Sequence, residues 1–146
     1  MALAQLQLLV KVQQEKEDKL QAQYRAALQN YQSMQQKYQG LADYRIEYVQ
    51  QTQSRGQEGM ASRHFNQYLN FIGKLDAALT AQQQYVQQAK ANADQRLVQL
   101  LAMQKKRKAL EILIERDLAE VQRKADKQEQ KMLDEIATQQ FFRRVS

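Results

Sequence analysis

The chain of 146 residues has no cysteine, no proline and no tryptophan, only four glycines and a single histidine. Without Cys there is no disulfide and no thiolate metal site, and His64 alone cannot supply a donor set for structural zinc. The same absence fits a reducing compartment. Without Pro, with few β-branched residues and with abundant Gln, Ala, Leu, Lys and Glu, almost nothing in the chain stops a helix. An ordinary mixed globular domain is thereby excluded in favour of an all-α chain. No segment approaches the roughly 18 consecutive apolar residues of a membrane-spanning helix, and the stretch from Met1 to Val12 carries no basic leader or signal-type cleavage site. The expectation is a soluble, cytoplasmic protein without a transmembrane segment.

What the chain does carry is charge and periodicity. Lys and Arg number 22 against 16 Asp and Glu, a net charge of +6, which permits nucleic acid, anionic lipid or an acidic protein as partner and selects none. Residues 3, 6, 10, 13, 17, 20, 24, 27, 31, 34, 38, 41, 45, 48 and 52 follow one another in alternating steps of three and four. Only Gln13, Glu17, Arg45 and Thr52 interrupt an otherwise apolar stripe. A mean step of 3.5 residues keeps one seam turned toward a partner helix, the pattern of a coiled coil. It fails at Ser54-Arg55-Gly56-Gln57-Glu58-Gly59, which reads as the turn. A second stripe runs from Tyr68 through Ile72, Leu75, Leu79, Gln82, Val86, Ala89, Ala93, Arg96, Leu100, Met103, Arg107 and Leu110 to Ile114. After Ile114 the step changes, and Leu118, Val121, Ala125, Gln128 and Met132 follow as in a stutter.

A short connection between long helices favours antiparallel packing. The expected fold is a long antiparallel two-helix coiled coil, an αα-hairpin with unequal arms: one elongated domain over 1–146, with helix 1 at 3–53, a turn at 54–60 and helix 2 at 61–142. The arms would be about 75 Å and about 120 Å long. A pivot near Gly56 and Gln57 sets Leu3 against Leu110 and leaves the rest of helix 2 without a partner from its own chain. Gly40 and Gly73 fall inside the helices at similar heights, either as tolerated glycines or as a bend or close approach.

No catalytic constellation is present. A two-helix hairpin offers no concave site, His64 has no Cys or paired carboxylates beside it, and no phosphate-binding glycine motif occurs. The chain is expected to be no enzyme and to hold no metal or cofactor. Lys105, Lys106, Arg107 and Lys108 form the densest basic run, but Glu111, Glu115, Asp117 and Glu120 follow closely. Mixed signs within the second stripe read as a solvated helix face rather than a nucleic-acid surface, though a nucleic-acid-binding coiled coil remains an alternative.

Apolar residues outside the seam then indicate where partners dock. With Leu3 and Ile72 at position a, Tyr44, Phe71 and Ala78 all fall at g, flanking Leu41, Tyr48, Ile72 and Leu75. In an antiparallel pair g faces g, so Tyr44 and Phe71 should share one side near the turn. Leu8, Leu9 and Val12 of the first helix and Leu97, Leu101, Ile112 and Leu113 of the second also lie off the seam and need other cover. The pattern describes a connector with one candidate patch near the turn and another near the chain ends.

The segments "LADYRIEYVQ" from Leu41 and "YLNFIGKLDAAL" from Tyr68, set across a short glycine-containing turn in a chain of this size, resemble the flagellar FliJ family. The resemblance implies a component of the flagellar type III export apparatus, with a coiled coil similar to the central stalk of rotary ATPases. It implies an export ATPase partner, FliI, at the chain ends, where Leu8, Leu9, Val12, Leu97, Leu101, Ile112 and Leu113 are the candidates. It also implies an export-gate partner, the cytoplasmic domain of FlhA, at Leu41, Tyr44, Tyr48, Phe71, Leu75 and Ala78; Gln82 stands where some relatives have His. Export chaperones are further implied partners, and the protein would sit in the cytoplasm against the inner membrane through the export apparatus. An injectisome stalk of the same architecture is the alternative within this reading.

Overall fold

In a computed structural model, which describes residues 3–56, 59 and 61–145, the chain forms two α-helices that pack against each other. Helix α1 spans Leu3–Gly56 and α2 spans Ser62–Val145, 54 and 84 residues; the expected bounds were 3–53 and 61–142. No residue in either helix is a proline, so each ladder of i to i−4 hydrogen bonds runs without a break. Arg55 sits in the last turn of α1, and Arg143 and Arg144 in the last turn of α2, where positive charge offsets the exposed carbonyl ends.

Of the expected turn, Gln57, Glu58 and Met60 lie outside the described residues. Gly59 has φ 93°, a left-handed conformation that a side chain disfavours by about 1–2 kcal/mol. Its N–H donates to the Gly56 carbonyl at 3.2 Å. Cross-helix partners are nearly equidistant in sequence from Gly59: Tyr48 with Tyr68, Arg45 with Asp76, Met34 with Gln82 and Gln23 with Arg96. These pairings centre on Gly59, a few residues beyond the pivot expected near Gly56 and Gln57, and α1 stays helical through Gly56.

Tertiary contacts group the chain into two units, one of Lys19–Leu101 and one of Met1–Asp18 with Ala102–Ser146. In the first, the turn unit, the buried residues are Ala27, Leu75, Ala89, Ala93 and Leu100. Three of them are alanines, while nearer the turn Tyr48, Tyr68 and Phe71 pack ring against ring across the seam. In the second, the terminal unit, Leu6 and Glu17 are buried. Every seam position from Leu3 to Thr52, and from Tyr68 to Ile114, is buried or half-buried. From Leu118 to Val145 every residue is exposed, so cover by α1 ends within one turn of Ile114.

Gly40 and Gly73 are exposed, and a methyl group built on either would meet nothing within 4 Å. Of the two readings of these glycines, a close approach by another backbone within the chain has no support.

Candidate interaction surfaces

In the turn unit the aromatic residues form a continuous ladder. The Tyr48 ring stacks on Tyr68 at 5.6 Å and 20°, and packs against Phe71 at 4.6 Å. Phe71 in turn meets the edge of Tyr44 at 6.2 Å and 84°, and Phe65 adds to the other end through Tyr68 at 6.3 Å. Edge-to-face and offset pairs of this kind are the favoured aromatic geometries. Tyr44 and Phe71, assigned to facing g positions by heptad spacing, do share one side.

The candidate residues here differ in what they can offer a partner. Tyr44 is 48% exposed, Ala78 is exposed, and Leu41, Tyr48 and Phe71 are half-buried. Leu75 is 7% exposed, a seam residue that shapes the surface from below. Sequence spacing missed Phe65, Ile46 and Leu69, all exposed large apolar residues of this unit; Phe65 follows the turn directly, before a stripe can be counted, Ile46 falls on an outer heptad position and Leu69 on the e edge.

An ion pair flanks the ladder. Arg45 Nε donates to Asp76 Oδ1 at 2.6 Å and Nη2 to Oδ2 at 3.4 Å. That hydrogen bond, and then the Asp76 charge, raise the Arg45 pKa above its ordinary value. An open cleft lined by Tyr48, Thr52, Arg55, His64, Gln67 and Tyr68 lies beside the ladder. His64 is thus an exposed residue at the turn, with no ligating partner set: among the described residues no three His, Cys, Asp or Glu side chains cluster to hold a metal.

In the terminal unit, Leu8, Leu9, Val12, Ile112 and Leu113 are all exposed. Leu97, half-buried, and Leu101, exposed, belong instead to the turn unit. The seam of the terminal unit carries a buried charge: Glu17, 6% exposed, accepts from Nε and Nη2 of Arg107, while Arg107 Nη1 donates to Glu111 at 2.7 Å. Hydrogen bonds from Arg107 to Glu17 first, and to Glu111 second, raise the arginine pKa. Arg107 is thereby withdrawn from the basic run, leaving Lys105, Lys106 and Lys108 on the exposed surface. Among the described residues Gln13 Oε1 is buried without a hydrogen-bond partner.

No helix of the structure is long and apolar enough to cross a membrane among the described residues. No curated protein and no solved structure matches the chain. A family model described as Flagellar FliJ protein matches residues 1–146, the whole chain.

Proposed function

The chain belongs to the flagellar FliJ family, which makes it a component of flagellar protein export, and from that premise we propose that it acts as a coiled-coil stalk linking the export ATPase to the export gate. The reading is supported above all by the aromatic ladder, which gathers residues of both helices into one surface with Tyr44 half open to a partner. In this proposal the cytoplasmic domain of the gate protein FlhA docks on Leu41, Tyr44, Tyr48, Phe71 and Ala78, with Leu75 supporting them from the seam. The ATPase FliI engages the exposed Leu8, Leu9, Val12, Ile112 and Leu113, together with Leu97 and Leu101. Export chaperones are additional partners.

The chemistry of such a connector is binding alone. Aromatic side chains suit a docking surface because they bring large contact area at little cost in side-chain entropy. Coupling requires that the stalk bind one state of the gate better than another, since a ligand with equal affinity for both shifts nothing. The test is a pull-down of the gate domain and the ATPase with two double variants. Tyr44→Ala with Phe71→Ala should weaken gate binding and spare the ATPase, and Leu9→Asp with Leu113→Asp should do the reverse. If both variants fold and bind both partners as wild type does, the two-ended connector is wrong.

A further inference from the structure

The uncovered part of α2 repeats, without a partner, the pattern that α1 covers earlier in the same helix. Leu110 and Ile114 are half-buried against α1, whereas Leu118, Val121, Ala125, Gln128 and Met132 continue their stripe in steps of four and three and are all exposed. Leu118, Val121 and Met132 are 47%, 62% and 62% exposed. Ile112 and Leu113 lie off this stripe, so it is a different face from the one assigned to the ATPase.

Within residues 118–132 one edge of the stripe is basic, with two lysines that follow Asp117, and the other carries a glutamine and a single carboxylate. With Leu118, Ala125 and Met132 as one seam column and Val121 and Gln128 as the other, Lys124 and Lys131 border the stripe on one side and Gln122 and Glu129 on the other. All four flanking residues are exposed. Lys124 pairs with Glu120 at 3.6 Å, and both side chains of that pair are more than half exposed, an ion pair that a better-placed carboxylate can displace.

The charged edges choose among occupants. A second copy running antiparallel would set the Lys124 and Lys131 edge against itself, since g positions face g positions in that arrangement. A second copy running parallel would bring its own α1 along the same face, into the track α1 already fills up to Ile114. A bilayer surface is disfavoured by the carboxylates of Asp126 and Glu129 beside the stripe, because anionic headgroups repel them. What remains complementary is one helix running in the direction of α1, with apolar residues at heptad spacing and carboxylates along the edge that meets Lys124 and Lys131. We propose that residues 118–132 are the docking face for such an acidic-edged amphipathic helix of a partner protein, which continues the track of α1 along α2.

The experiment uses the full chain and two synthetic amphipathic helical peptides of about three heptads with a Leu seam and one neutral Gln flank, identical except that the flank matched to Lys124 and Lys131 carries Glu in one and Lys in the other. Binding is read by fluorescence anisotropy, with folding checked by circular dichroism. The wild-type chain should prefer the peptide with the Glu flank by about tenfold, as expected for a few exposed ion pairs made rather than opposed. Lys124→Glu with Lys131→Glu should reverse the preference. Val121→Asp with Met132→Asp should abolish binding of both peptides, whereas Leu9→Asp with Leu113→Asp should leave it unchanged, which separates this face from the ATPase surface. Equal affinity for the two peptides, or binding that survives Val121→Asp with Met132→Asp, overturns the proposal. So does a concentration-dependent dimer in sedimentation that the same double variant abolishes, because the face would then belong to a second copy.

Discussion

Leu75 tests the division of the proposed gate-docking surface into residues that touch a partner and residues that hold the surface up. It is 7% exposed and lies in the seam, one turn of α2 beyond Phe71. Leu75→Ala removes three carbons, worth about 0.8 kcal/mol each in lost burial, or about 2.4 kcal/mol. The cavity contribution should be small, because a two-helix seam is open at its sides and can relax or admit water, so the total belongs near the low end of the range for buried leucines, about 2–3 kcal/mol. Urea unfolding followed by helical circular dichroism should show a lower midpoint with an unchanged slope. Titration calorimetry against the gate domain should show a loss of affinity of less than about threefold, since a change in support acts on the partner only indirectly. Tyr44→Ala should show the opposite balance: less than about 1 kcal/mol in stability, because its ring is half exposed, and about a tenfold loss of affinity if it is a binding hot spot. If Leu75→Ala weakens gate binding more than Tyr44→Ala while leaving stability within about 0.5 kcal/mol of wild type, then Leu75 is a contact residue and the assignment of support and contact is refuted.

The remaining predictions concern the scaffold. Gly40→Ala and Gly73→Ala have open space for the added methyl and should each stabilise the chain by about 0.5–1 kcal/mol in urea unfolding; a loss of stability would mean that an unseen neighbour approaches there. Gly59→Ala should destabilise by about 1–2 kcal/mol in the same measurement, because its φ is positive. The folded-state pKa of Arg107 is raised by its hydrogen bonds to Glu17 and then Glu111. The stability this contributes is fully present below the ordinary guanidinium pKa and is lost only as pH rises through the higher folded value. The stability difference between wild type and Arg107→Met should therefore stay flat from about pH 7 to about pH 10; a steady decline across that window would refute charge pairing as its cause.

The heptad stripes were legible in the sequence because a packed seam imposes a period on every turn, and each stripe residue from Leu3 to Thr52 and from Tyr68 to Ile114 is at least half shielded. The contact of Tyr44 with Phe71 followed from the same period, since both occupy g and stand at similar distances from the turn. The pivot did not follow. Gly56 and Gly59 are equally permissive, and which of them takes a positive φ depends on where α1 stops, a choice made by hydrogen bonds that leave no mark in composition. The partners of the polar seam residues were hidden for a related reason. Glu17 was visible as an interruption and Arg107 as a member of the second stripe, yet their pairing depends on the registration of segments far apart in the chain, which a shift of pivot by a few residues would change.

Those interruptions account for how one surface is assembled from two helices. In the turn unit the seam is built largely from Tyr, Leu and Ala, and Tyr24, Tyr31 and Tyr38 repeat at heptad spacing, with little to distinguish one layer from the next. Sliding α1 by seven residues against α2 keeps small and aromatic residues on the seam, so apolar packing alone discriminates weakly between registers. Arg45 with Asp76, Gln23 with Arg96, and Gln82 with the Met34 carbonyl meet only in the observed register. A slip strands each half-buried member of these pairs without its partner, at a cost that the aligned state avoids. Polar residues placed in a seam are the known means of fixing coiled-coil register. The proposed docking surface depends on that fixing, because a one-heptad slip displaces Phe71 by about 10 Å along the helix, which parts it from Tyr44, whose ring its edge meets at 6.2 Å. Glu17 and Arg107 impose the same condition on the terminal unit. Replacing the turn unit's polar seam residues with leucine would strengthen burial while removing what selects one register, so these residues trade seam stability for the register that sets Tyr44 and Phe71 side by side.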